Sequence, residues 1–255
     1  MTGSVHLGDL SWTEVRAVLD GPRSAVALLP LGVVEPHGPH APLATDTIIS
    51  LGICERAARA FADDPTTVAL VLPPVTYGIT RYASAFPGTI GLAPETLAAV
   101  LVDVCRGAAD TGLHRIVVVN NHFEPAQVET IRKVTADLAG QNAVKLAYLD
   151  LTRRANAARL GDEFASGSCH AGRYETSLVL AERPELVDAE VMSRLEPLVL
   201  PMHEAIAAGR TDFLALGMNE AYCGAPADAT TAEGEERFDV LAQMLIDVIR
   251  DVVED

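Results

Sequence analysis

Basic residues are scarce in this 255-residue sequence: 19 Lys plus Arg stand against 35 Asp plus Glu, a formal charge of -16. A phosphate backbone is repelled by that average field, and no local Lys/Arg cluster makes an exception. Nucleic acid is thereby excluded as a partner, and an anionic membrane surface with it. Long apolar runs are missing too: none approaches the ~18 residues of a transmembrane helix. The first residues, MTGSVHLGDLSW, have neither the basic start nor the apolar run of a signal peptide, so a cytoplasmic protein is expected. Cysteine is thin, with Cys54, Cys105, Cys169 and Cys223 in no CxxC pair. That spacing argues against a disulfide scaffold and against zinc knuckles, and leaves four inert thiols in a reducing compartment. The GxSxG elbow, the GxxxxGK[ST] and GxGxxG loops and the HExxH helix are all absent. Their loss removes the usual serine hydrolase, nucleotide-binding and zinc-peptidase readings.

What is present is a hydrophobic fraction of 49%, enough for one large core, and no composition break divides it. One domain over residues 1–255 is expected. Short apolar runs alternate with longer helical patterns. Strands are predicted at 24–31 (SAVALLPL), 66–72, 116–119 and 143–149, and helices at 48–61, 94–110 and 126–139. Pro94 opens its helix where a missing N–H costs nothing, and Gly112 is placed to end it. Strands of four to eight residues between helices of about 14 predict an α/β fold, a layered, mostly parallel sheet flanked by helices. The second half is less regular. Helices are predicted at 173–181, 188–193, 201–208 and 231–253, with loops at 165–172 and 217–228.

Ligands in open parallel sheets gather beyond the C-terminal ends of strands, and two such ends carry polar clusters. The first strand is followed by Gly32-Val33-Val34-Glu35-Pro36-His37-Gly38-Pro39-His40, and then by Asp46 after a proline-bearing turn. The third is followed by Asn120-Asn121-His122-Phe123-Glu124-Pro125. Residues i and i+2 of an extended segment point to one side, so Glu35 with His37, and His122 with Glu124, form two arms of one imidazole and one carboxylate each. These are the borderline ligands of zinc, manganese and similar divalent ions. Each arm alone has a plainer reading, and Asp46 alone is commonly a helix cap; their convergence on two strand ends points to a metal site. A third cluster, Gly167 to Ser177, sets His170 in a loop and Glu175 one helical turn later. Chemically it supplies a general acid and a supporting or bridging carboxylate, although Glu175 also suits a helix start. Cys169 beside His170 is not read as a nucleophile, since sequence neighbours rarely form a working pair.

At these residues the sequence resembles the creatininase (creatinine amidohydrolase) family. The likeness runs through Leu31-Gly32, Glu35, His37-Gly38-Pro39-His40, Pro42-Leu43, Thr45-Asp46, the Phe86 to Thr89 segment, Asn120 to Glu124, His170-Ala171-Gly172 and Glu175-Thr176-Ser177. It implies an α/β sandwich, a homo-oligomer, often a hexamer, and two divalent metal ions, Zn, Mn or Fe. One ion would be held by Glu35 and His122, the other by His37 and Glu124, with Asp46 bridging and Glu175 as a near or alternative ligand. It implies metal-assisted hydrolysis of a C–N bond, with His170 donating the proton that lets nitrogen leave. Four features depart from the pattern: Pro36 replaces a common Gln, Asn121 replaces a Gly, the Thr80 to Ser84 segment before Phe86 lacks a common Glu-His, and Trp12 is the one tryptophan, so an indole-lined pocket is missing. The expected substrate is therefore a small, neutral or weakly charged amide, lactam or formamide, met by Phe123, Tyr77, Tyr82 and Tyr222. Arg81 and Arg173 are read as surface residues. A peptide-trimming or ring-opening hydrolase of a biosynthetic pathway, or a creatinine amidohydrolase, are the alternatives.

Overall fold

The computed structural model describes residues 3–140, 144–200 and 202–254. Its elements run in the order α1 (Trp12–Leu19), β1 (Ser24–Leu31), α2 (Thr45–Ala60), β2 (Thr67–Val71), α3 (Pro94–Asp110), β3 (Arg115–Asn120), α4 (Pro125–Ala139), β4 (Lys145–Leu149), α5 (Arg154–Ala157), α6 (Asp162–Ser166), α7 (Arg173–Glu182), α8 (Ala189–Met192), α9 (Met202–Ala207) and α10 (Thr231–Glu254). The predicted strands and long helices recur within a few residues of their expected bounds. Ala143 and Pro201, which open a predicted strand and a predicted helix, lie outside the described residues. Helix α1 is not among the predicted elements, although the sequence carries its signal. Ser11 accepts from the Glu14 amide while the Glu14 carboxylate accepts from the Ser11 amide, a capping box. The predicted loop at 165–172 is shortened by α6, which runs to Ser166.

All four strands are parallel, in the order β2-β1-β3-β4. The connection through α2 steps from β1 one way along the sheet, and α3 then steps back past β1 to β3. Right-handed crossovers put helices that travel in opposite directions on opposite faces. The strand side chains divide accordingly. Val26, Leu28, Val117 and Val119 pack with α2, α7 and α10 in one apolar cluster, and Ala27, Leu29, Ile116 and Val118 pack with α3 and α4 in the other. Both faces of the strands are buried, which is why they read as continuous apolar runs rather than alternating ones.

The reversal of direction leaves a crevice between the C-terminal ends of β1 and β3, which pair from Ala27↔Ile116 to Leu31↔Asn120. The two sequence clusters emerge there side by side. The chain leaves β1 under tight constraint, since a Cβ on Gly32 would stand 2.2 Å from Thr47 Oγ1. That contact brings the start of α2, and Asp46 with it, onto the strand end.

The α7 face closes through equally close contact. A Cβ added at Gly234 of α10 would fall 1.9 Å from the Ser177 carbonyl oxygen, so these two helices approach backbone to backbone. Gly234→Ala is expected to cost about 1–3 kcal/mol by overpacking, against a smaller gain in helix propensity. The melting temperature should fall by several degrees, on the order of 2–4 °C per kcal/mol at this size. Calorimetry of the variant checks it; an unchanged or raised melting temperature contradicts the close packing.

Candidate metal centre

Five side chains from four segments meet in the crevice. Glu35 and His37 come from the loop after β1, Asp46 from the first turn of α2, His122 from the segment after β3 and Glu175 from the first turn of α7. All five are buried. His122 Nδ1 lies 3.1 Å from Glu35 Oε1 and 3.2 Å from Asp46 Oδ2. His37 Nε2 lies 3.4 Å from Asp46 Oδ1 and 3.6 Å from Glu175 Oε2. Two groups thus have cation-binding geometry, Glu35 with Asp46 and His122, and His37 with Asp46 and Glu175. A third group joins Glu35 and His37 to His170, whose Nδ1 stands 3.7 Å from Glu35 Oε1.

The imidazoles are aimed by what their other nitrogens do. His37 Nδ1 is 3.1 Å from the Glu35 carbonyl and His122 Nε2 is 2.8 Å from the Ile79 carbonyl. A carbonyl only accepts, so each of those nitrogens donates, and the opposite one faces the carboxylates. Behind His122 stands a chain of amides. Asn120 Nδ2 donates to the His122 carbonyl, Gln127 Nε2 donates to Asn120 Oδ1, and Gln127 Oε1 accepts from the Ile79 amide. Gln127 therefore fixes both the segment that carries His122 and the carbonyl that orients its ring. Gln127→Ala is expected to weaken divalent-metal affinity by roughly tenfold, the lower end for outer residues that orient ligands. Competition against a chromophoric chelator reads the change, and unaltered affinity removes that positioning role.

The charges are strongly coupled to burial. Burial pushes the Asp46 carboxyl up, but the charge on His37 and contact with His122 outweigh it and hold the group below the usual range. Glu35 goes the same way, burial being overcome mainly by His122. For His37, burial disfavours the charged ring, yet Asp46 above all pushes its pKa up to about 10, and His122 is raised well above the ordinary value mainly by Glu35. Glu175 is pushed up to about 8 by burial, only partly relieved by His37. A pocket this rich in carboxylates attracts positive charge. Both Asp46 oxygens and His37 Nε2 are buried without a hydrogen-bond partner. An N-terminal-turn Asp that capped its helix would spend an oxygen on a backbone N–H; Asp46 does not. Its orphaned oxygens, shared by both groups of ligands, fit a pair of divalent cations.

Glu124 is not brought into these groups. It is the N-cap residue of α4, and its Oε2 accepts from the amides of Arg81, at 2.7 Å, and Tyr82. Glu175 instead has Oε1 on Asn121 Nδ2 and Oε2 on the Ala171 amide, while Tyr174 Oη donates to Asn121 Oδ1. Thr80 donates to Glu35 Oε2. Asn121, Tyr174 and Thr80 were not legible as site residues beforehand, because nothing in their local sequence reports a partner more than 40 positions away. Ala171 takes a left-handed backbone, φ 50°, a conformation that costs a non-glycine residue energy and that turns the chain between His170 and α7. His40 stands outside the metal groups and ties the first loop to α7 through Thr176, at 2.8 Å. Cys169 is buried, with its thiol pushed well up chiefly by burial, which suits an inert role. Arg173 pairs with Asp162 and Glu233.

The centre opens into a cavity of about 940 Å³. Phe123 and Tyr82 line it as expected, joined by Phe213, which packs on the His170 ring at 4.6 Å. Tyr77 is exposed and Tyr222 donates to the Glu196 carbonyl; neither is among the residues lining the cavity.

Against known proteins, the family model described as creatinine amidohydrolase matches residues 8–249. Creatinine amidohydrolase of Pseudomonas putida is 30% identical over 98% of this chain and 98% of its own length. Mycofactocin precursor peptide peptidase of Mycolicibacterium smegmatis is 33% identical over 84% of this chain and 79% of its own. A solved manganese form of creatininase superposes with a TM-score of 0.76 at 28% identity, covering 97% of this chain and 98% of that one.

Proposed function

Because the chain belongs to the creatininase family, whose hydrolases act on C–N bonds, we propose that it is a dinuclear-metal amidohydrolase of a small-molecule amide. The observation that carries this reading is Asp46, one buried carboxylate with an unpartnered oxygen turned toward each of two imidazoles. In this reading Glu35, Asp46 and His122 hold one divalent ion, and His37, Asp46 and Glu175 hold the other. Zinc, manganese and iron all suit that N/O set. Bound there, the ions polarise a carbonyl and lower the pKa of water.

The chain's own residues do the rest. His170 Nε2 donates to the Pro36 carbonyl at 3.0 Å, so Nδ1 is the nitrogen that faces the centre. Burial, and then the charge on His37, push the His170 pKa down to about 4. The ring is neutral near pH 7, and Nδ1 is free to take a proton from the attacking water and return it to the departing nitrogen. Phe213 and Tyr82 line the site, Phe213 against the His170 ring.

Two measurements test the proposal. In a hydrolysis screen over lactams, formamides, cyclic ureas and short peptides with metal added, at least one amide should turn over, and activity should vanish with chelator. Activity that persists in chelator contradicts the reading. Elemental analysis separates the two candidate carboxylates. Glu175→Gln should lose one of two ions while Glu124→Gln keeps both, and the reverse pattern hands the ligand role to Glu124. A peptide-cleaving reading is favoured over the small amide if the screen prefers peptides, as the size of the cavity allows. The reading also includes a cytoplasmic homo-oligomer, a hexamer by family likeness. Exposed Leu43, Ile90 and Val199 supply apolar surface for it, and light scattering reads the mass. No helix among the described residues is long and apolar enough to cross a membrane.

A further inference from the structure

The cavity is much larger than the metal groups need, and its lining carries both acidic and basic side chains. About 940 Å³ is near the upper end for a drug-sized ligand, far beyond one small ring. The metal groups contribute the acidic cluster of Glu35, Asp46 and Glu175. The lining also has apolar wall: Phe123, next to His122 in the chain, and Phe164 meet edge to face, 5.2 Å between centroids, and Val128 and Ala157 line the cavity with them. On the side of the edge strand β4, beyond β3, the lining is polar again and carries Arg132 and Glu129 of α4 and Thr152 and Arg154 from the chain after β4.

These rim charges are not equivalent. Arg132 is already engaged, its Nε donating to Asp150 at 2.8 Å and its Nη2 to Thr152 at 2.8 Å. Among the described residues the Arg154 guanidinium has no hydrogen bond or ion pair, so its planar donor fork is free for a carboxylate. Glu129 is the one acid among these four residues. It opposes a doubly charged tail more than a singly charged one, which disfavours a phosphate ester.

We propose that the substrate is an elongated amide, with its scissile C–N bond at the metal end, an apolar body along Phe123 and Phe164, and a carboxylate at Arg154. This inference rests on the amidohydrolase reading, specifies its substrate class, and replaces the expectation of a small neutral compound. Arg154 then acts as a specificity residue remote from the chemistry.

The test uses the metal-loaded protein and medium-chain hydroxamic acids, whose head binds metal and whose tail is a carboxylate, its methyl ester or an ammonium. Affinities are measured by calorimetry. The carboxylate tail should bind roughly fivefold tighter than the ester, the scale of one exposed ion pair. Arg154→Ala should erase that advantage and leave the ester unchanged, and Glu129→Gln should widen it. Equal binding by all three tails, tighter binding of the ammonium, or a loss in Arg154→Ala shared equally by the ester overturns the inference and leaves the metal reading standing. Failure of every hydroxamate to bind overturns the metal reading, and this inference with it.

Discussion

Asp46→Ala is expected to strip both ions and to lower turnover by at least ~10³-fold, since two cations contribute several kcal/mol to a hydrolytic transition state. The size follows from its position. Of the two groups assigned to the ions, Glu35 with His122 belongs to one and His37 with Glu175 to the other, but Asp46 serves both through separate oxygens. Asp46→Asn keeps the shape and removes the charge, so it should fail nearly as badly. Thermal stability offers a second readout. Added metal should raise the melting temperature of the parent by mass action, and this response should disappear in Asp46→Ala. The parent's affinity should also rise with pH. An imidazole binds metal only when that nitrogen has lost its proton, and Asp46 above all pushes the His37 pKa up to about 10 against the effect of burial. Below that value each displaced proton makes the apparent affinity steeper by about tenfold per pH unit. A variant lacking Asp46 that still carries two ions, or a parent whose affinity is flat with pH, contradicts the bridging role.

His170→Ala should behave in the opposite way, keeping both ions while turnover falls by roughly 10²–10⁴-fold, the usual contribution of a general acid–base group. His170 joins one metal-sized group with Glu35 and His37, so metal retention is the decisive control. Its ring also packs between His37, at 4.5 Å, and Phe213, at 4.6 Å. A purely structural ring would therefore show its loss in melting temperature, with KM and kcat moving together. A proton carrier shows it in kcat and in the loss of one limb of the pH–rate profile. An amide with an activated leaving group, which needs less protonation, should be spared much of the effect. A variant with no ions, or with full activity on an unactivated amide, removes His170 from proton transfer.

Much of this protein was legible before any coordinates. β1, α3 and α7 begin where the sequence places them, because continuous apolar runs, Pro94 at a helix start and the Gly172 entry to α7 are local signals read by local sterics. The crevice followed as well: polar clusters after the first and third strands meet because those strands pair, and the alternation of elements predicts a parallel sheet. The capping box of α1 shows that legibility also depends on which signal is weighed, since Ser11 and Glu14 stand plainly in the chain.

The two-residue arms show where local reasoning ends. Spacing of i and i+2 puts side chains on one side only while the backbone is extended, and β3 stops at Asn120. His122 and Glu124 lie beyond it, and Glu124 is the N-cap residue of α4, its carboxylate turned to the amides of Arg81 and Tyr82. Glu175, some 50 residues further along, takes the place beside His37 because α7 packs against α2. The free guanidinium of Arg154 is the same kind of fact, visible only once the partners of Arg132 and Arg173 are known. The sequence by itself determined the chemical inventory: imidazoles and carboxylates at strand ends, a fold that gathers those ends, and a net acidic charge. Only the tertiary structure decided which carboxylate faces which imidazole and how far the cavity extends. The first set depends on contacts within a few residues. The second depends on distances between segments, and those are set by how helices pack across a sheet.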